Sequence, residues 1–250
     1  MTGTYRIADR VVEITSVYPG VHRFCADYRD QSAGKSAIDL AVETTAADVE
    51  HERICSDRSA ISEGREPGKT PDAYLESLAV YRKIAEGMVD FDTFLFHGSV
   101  VAVDGEAYLF TAKSGTGKST HTALWRDLFG ERAVMINDDK PLLRVCEDRV
   151  IVYGTPYNGK HKLGTNTSAP LRAICILERA AENTIRPVTA NEAYRTLVQQ
   201  TYRPRESGAL AKTLSLLDRA IGLVGLYRLG CNMDIEAARV AYEGMKGDNK

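Results

Sequence analysis

The 250-residue chain is 44% hydrophobic and 26% charged, enough apolar material to bury a core as one domain or as a domain with a small lobe. Its formal net charge of −2 argues against a broad attraction to nucleic acid or anionic lipid, so an anionic ligand must be held locally. No stretch approaches the ~20 apolar residues that span a bilayer, and "MTGTYRIADR" has no apolar leader core; the expectation is a cytoplasmic protein that engages neither membrane nor nucleic acid.

The five cysteines, Cys25, Cys55, Cys146, Cys175 and Cys231, form no C-x-x-C pair, so neither a zinc site nor a disulfide framework has its usual spacing. In chain order, "RVVEITSVYP" and "SAIDLAVET" read as short strands, which makes residues 1–66 a small β-rich N-terminal lobe. The polar stretch "SDRSAISEGREPGKTPD" reads as a linker. A second unit, residues 67–250, opens with a helix in "PDAYLESLAVYRKIAEGM", where Tyr74, Leu75, Leu78, Tyr81 and Ile84 form one stripe.

"GSVVAVDGEAYLFT" then predicts two strands joined at Asp104–Gly105. The second strand runs into "TAKSGTGKST", which is followed by a helix in "KSTHTALWRDLFG" and by the strand "RAVMIN", ending on Asp138 and Asp139. "LLRVCEDRVIVYG" is another hairpin candidate; "RAICILER" and "VGLYRLGC" are further strands. The pattern predicts an α/β fold whose mixed β-sheet contains hairpins. Trp125 and the 74–84 stripe are expected in the core.

Gly115 and Gly117 allow backbone geometries that let consecutive amides turn toward an anion at a helix N-terminus. Ala112 stands where the pattern G-x-x-x-x-G-K-[ST] begins with glycine; at a strand end a small residue suffices. The segment running through Ser114, Gly115, Thr116, Gly117, Lys118, Ser119 and Thr120 is therefore the expected nucleotide-binding loop. Lys118 would meet the outer phosphates, and the Ser119 hydroxyl would ligate Mg²⁺. Asp138 and Asp139 follow early, so one can hold metal while the other takes a hydroxyl proton. His121, in the first turns of the loop helix, is placed to touch nucleotide or to lie on the helix surface.

These residues resemble the HPr kinase/phosphorylase and ATP-dependent phosphoenolpyruvate carboxykinase superfamily. The resemblance covers roughly residues 95–160 and rests on "FHG" at Phe96–Gly98, on "AKSGTGKS" and on "INDD". It implies a P-loop kinase domain of that type. It also implies that His97 lies near the reacting phosphate, Lys118 on the phosphates, Ser119 on metal, and that Asp138 and Asp139 share metal binding and base catalysis. The chain departs from the family kinases at Thr120, where they carry Glu, and at Ile151, where a Glu precedes the glycine matching Gly154. It is also far shorter than the carboxykinases, which argues against their decarboxylation chemistry, and it looks closer to the small, divergent HPr-kinase-like proteins. Beyond the match, "YGTPYNGKHKLGTN" gathers Asn158, Lys160, His161 and Lys162 between glycines, and Lys160 and Lys162 are candidate substrate contacts, as is Arg203.

The leading expectation is a kinase that uses ATP and Mg²⁺ to move the γ-phosphoryl group to a hydroxyl on a peptide, protein or small molecule. The alternative is a non-enzymatic nucleotide-sensing module that binds a protein partner. A switch GTPase would need N-K-x-D and an ABC-type ATPase L-S-G-G-Q; the chain has neither.

Overall fold

A computed structural model describes residues 1–32, 36–62, 64, 66–159 and 162–247. The chain divides into two compact units, Met1–Met88 and Val89–Lys250. The first comprises strands β1 (Thr2–Ile7) and β2 (Arg10–Thr15), the short helix α1 (Gly20–Phe24), strand β3 (Leu40–Glu43), and helices α2 (Ala46–Ser62) and α3 (Asp72–Met88). β1 and β2 pair antiparallel, and β3 joins β2 in parallel.

Three expectations change here. Two 17-residue helices outweigh strands of six, six and four residues, so this unit is mixed α/β rather than β-rich. The division also falls after α3, not at residue 66, because α3 packs on α1, α2 and β3. Its buried face runs from Leu75 through Ala79, Val80, Tyr81 and Ile84 to Met88, while Tyr74 is exposed. Buried Glu76 sits in that face, accepting hydrogen bonds from the Val17 and Tyr18 amides and the Thr44 hydroxyl. Three donors offset the cost of burying the carboxylate. The expected linker also begins later than the sequence suggests, since α2 continues through Ser62.

The second unit runs β4 (Thr93–Leu95), β5 (Ser99–Val103), β6 (Glu106–Thr111), α4 (Lys118–Phe129), β7 (Ala133–Asn137), β8 (Leu142–Val145), β9 (Val150–Tyr153), β10 (Ser168–Arg179), β11 (Thr184–Pro187), α5 (Ala190–Gln200), α6 (Ser207–Leu223), β12 (Gly225–Cys231) and α7 (Glu236–Met245). Its sheet has the order β4-β8-β9-β10-β6-β5-β7, with β12 also paired to β10 and β11 to β12. Long β10 carries the change of hand: it starts antiparallel to β9, then runs parallel to β6 and β12 past an irregularity between Leu171 and Ala173. The mixed α/β fold and its hairpins, β5–β6 and β8–β9, match the sequence pattern.

Period-two alternation explains the layers. Leu109 of β6 and Val100 of β5 face a cluster with Leu197 of α5 and with Leu216, Leu217 and Ala220 of α6. Tyr108, Phe110, Val101 and Val103 face the other side, with Trp125 of α4 and Ala238 and Ala241 of α7. Both faces are covered, which is why these strands read as continuous apolar runs. Among the described residues no helix is long and apolar enough to cross a membrane.

Candidate functional site

Strand direction assembles the site. β5 is antiparallel to both β6 and β7, so β6 and β7 end at the same sheet edge at which β5 begins. The glycine loop leaves β6 there, Asp138 and Asp139 leave β7 there, and His97 and Gly98 lead into β5. Hydrogen bonds stitch the three together. The Gly98 amide donates to Asp139 O at 3.0 Å, the Ser99 hydroxyl to Asp138 O at 2.9 Å, and the Thr111 hydroxyl to His97 O at 3.1 Å.

The loop has the backbone that the sequence anticipates, with φ of 78° at Gly115 and 124° at Gly117, values a residue with Cβ rarely adopts. α4 begins at Lys118 and no side chain caps it; the first amides of a helix lack intrahelical partners, and its N-terminus carries partial positive charge. The Lys118 ammonium reaches back to Ala112 O at 3.3 Å. Burial lowers the Lys118 pKa; the Asp139 charge opposes this and the Lys140 charge adds to it.

His97 Nε2 lies 3.2 Å from Asp139 Oδ1, and Lys140 pairs with the other carboxylate oxygen. Burial alone would raise the Asp139 pKa, but the hydrogen bond from His97 and the contacts from Lys140 outweigh it and hold the group at about 2. Asp138 is buried, and its carboxylate accepts the Gly159 amide. A Cβ at Gly159 would stand 3.1 Å from that carboxylate, so glycine allows the close approach.

Several positions that shape this sheet edge escaped the sequence reading. Buried Asn137 accepts the amides of Asp139 and Lys140 at 2.9 and 2.6 Å and donates to Thr155 Oγ1 at 3.0 Å, fixing the turn that presents both acids. Thr155 in turn donates to Lys140 O at 2.9 Å. Arg179, at the end of β10, donates to Gly115 O at 2.6 Å and Thr116 O at 3.3 Å. Its sequence signal is only partial: a cation closes a buried strand, and nothing local tells that this strand lies beside the loop strand. A buried Asn just before paired acids carries a fainter one.

The remaining candidates differ in exposure. His121 neither touches the loop's open side nor lies on the helix surface: it is buried, accepts a hydrogen bond from Trp125 Nε1 at 3.1 Å, and packs edge-on against Phe110. Burial lowers its pKa to about 4, so it is a neutral core residue. Trp125 is fully buried, as expected. Ser119 and Thr120 are exposed at the start of α4, and Lys162 is exposed with φ of 48°. Arg203 is exposed and makes no hydrogen bond or ion pair among the described residues. Lys160 and His161 lie outside the described residues.

A cleft of about 750 Å³ adjoins the loop and includes His97, Ala112 and Ser114 in its wall. For a divalent ion, no three His, Cys, Asp or Glu side chains converge among the described residues. Asp138, Asp139 and the Ser119 hydroxyl supply only hard oxygen donors, the set that suits Mg²⁺, which takes one or two carboxylates and completes its shell with phosphate and water oxygens.

No family model matches the chain, and no curated protein matches it. Among solved structures it is similar to the Hpr(Ser) kinase/phosphatase from Coxiella burnetii, at 11% identity and a TM-score of 0.35, over 61% of this chain and 99% of that one. A likeness that slight carries no argument, and the functional reading rests on the residues.

Proposed function

We propose that the protein is an ATP- and Mg²⁺-dependent phosphotransferase of the P-loop, HPr-kinase-like type, moving a γ-phosphoryl group to a hydroxyl. The observation that carries this reading is the shared sheet edge, where an uncapped helix behind a glycine loop meets His97 and two carboxylates. The amides of residues 114–120 and Lys118 would grip the polyphosphate. Ser119, Asp138 and Asp139 would hold Mg²⁺, which when bound neutralises phosphate charge. The acceptor oxygen forms its bond to the γ-phosphorus as the β,γ-bridging P–O bond breaks and ADP leaves, and one of the two carboxylates takes the hydroxyl proton.

The test is transfer of label from γ-labelled ATP to hydroxyl acceptors, with calorimetry of a non-hydrolysable ATP analogue in parallel. Wild type is expected to bind the analogue and to transfer label. Failure of the analogue to bind, with the chain folded, would end this proposal.

A further inference from the structure

We infer that the phosphoryl acceptor is itself anionic, a hydroxyl with a carboxylate nearby, and that it enters by the cleft beside the glycine loop. The inference rests on the phosphotransferase reading and names the substrate class for that site. Of the loop, only Ala112, Lys113, Ser114 and Thr116 line this cleft, while Gly117, Lys118 and Ser119 do not. The cleft therefore opens on the leading side of the loop. The nucleotide's α-phosphate and nucleoside would leave past the trailing side, where α4 begins. Cleft and carboxylate pair meet at His97, which lines the one and bonds Asp139 of the other. An acceptor lying in the cleft thus presents its hydroxyl where the transferred group is held.

The lining sets the chemistry. Lys113, Arg179 and Arg228 stand against one carboxylate, Glu178, among the described residues, with Thr196 and Gln199 from α5 supplying neutral hydrogen-bonding groups. Arg228 lies in register with Ile176 in β10 and is ion-paired to Glu178, so its planar fork is held in place. The surplus of positive charge selects a carboxylate, and guanidinium forks bind that group in two-point fashion. The volume suits a drug-sized molecule or a short peptide segment.

The experiment presents γ-labelled ATP and Mg²⁺ with two probe sets: hydroxy acids such as glycerate beside their amides, and serine-centred peptides flanked by aspartate, glutamine or lysine. The expected result is a KM lower by roughly tenfold for the carboxylate-bearing member of at least one set; which set responds tells whether the carboxylate arrives on a small molecule or a peptide. Arg228→Gln should erase the preference and Glu178→Gln should sharpen it, a pair of opposite shifts that loss of structure would not produce. Both variants should bind the ATP analogue as wild type does. Equal use of neutral and anionic acceptors overturns the inference and leaves the phosphotransferase reading standing. So does an Arg228→Gln effect on nucleotide affinity instead of acceptor preference, which would assign the cleft to the nucleoside. If analogue-loaded protein binds no probe of either set, the inference likewise fails, and absence of analogue binding takes both readings down.

Discussion

Asp139 and Lys118 are both shifted from their ordinary pKa values, each downward. The carboxylate, held at about 2 by His97 and Lys140 against its own burial, is ionised at neutral pH and available to a cation or a proton. Lys118, half-buried and beside Lys140, has a lowered pKa that an approaching polyphosphate would raise again. Asp139→Asn keeps the shape and the acceptor for His97 but removes the charge, so transfer should fall about a hundredfold or more while the melting temperature barely moves. Undiminished transfer would remove Asp139 from the chemistry. His121 makes a separate prediction about stability. Its native pKa is about 4, against 6.5 unfolded, so the unfolded chain takes up a proton that the native chain refuses. Its contribution is intact above pH 6.5 and is lost as pH falls toward 4, roughly 3 kcal/mol in all. His121→Gln can still accept from Trp125 Nε1 and does not titrate; denaturant titrations should show wild type losing stability more steeply than the variant in that window. Parallel pH profiles would refute the assignment.

At the scale of elements, the loop is set by β10 as well as by its own glycines. Arg179 holds the Gly115 and Thr116 carbonyls; because the trans peptide is planar, turning the Thr116 C=O toward Arg179 turns the Gly117 N–H away from it. Arg179→Ala should therefore weaken binding of the ATP analogue by about tenfold, and Arg179→Lys should restore part of it. Calorimetry of the three proteins, with melting curves as control, decides this; equal affinities would make the contact incidental. The contact also marks the limit of sequence reading. β5, β6, β7 and α4 were legible because apolar runs, a turn dipeptide and a closing glycine are local signals, and so were the loop and both acids. Asn137, Thr155 and Arg179 were not, because their roles depend on which strands become neighbours, and pairing of β10 with β6 joins segments some 65 residues apart. His121 was misplaced for a related reason: whether a helix position faces sheet or solvent is decided by the partner face, here Phe110. Helix α2 has little apolar periodicity, so its first turns went unread and its last residues, from Ser56 to Ser62, passed for linker.

For the molecule as a whole, the division at Met88/Val89 has a functional corollary. Every residue assigned to the site, from His97 to Arg228, lies in the second unit. So do both clusters of its core, which draw only on residues from Val89 onward. A segment of that length falls near the usual size of an independently folding domain, about 100–150 residues. The two faces of its sheet are covered by its own helices, α4 and α7 on one side and α5 and α6 on the other. Residues 89–250 expressed alone should accordingly melt cooperatively and bind the ATP analogue within a few-fold of the full chain, whereas a division at residue 66 would leave α3 without the sheet and helices it packs on. Circular dichroism and calorimetry of residues 89–250 and of the full chain give the answer. A fragment that fails to fold, or folds without taking up nucleotide that the full chain binds, would mean that the first unit completes the core or the site, and the separation argued from packing would be wrong.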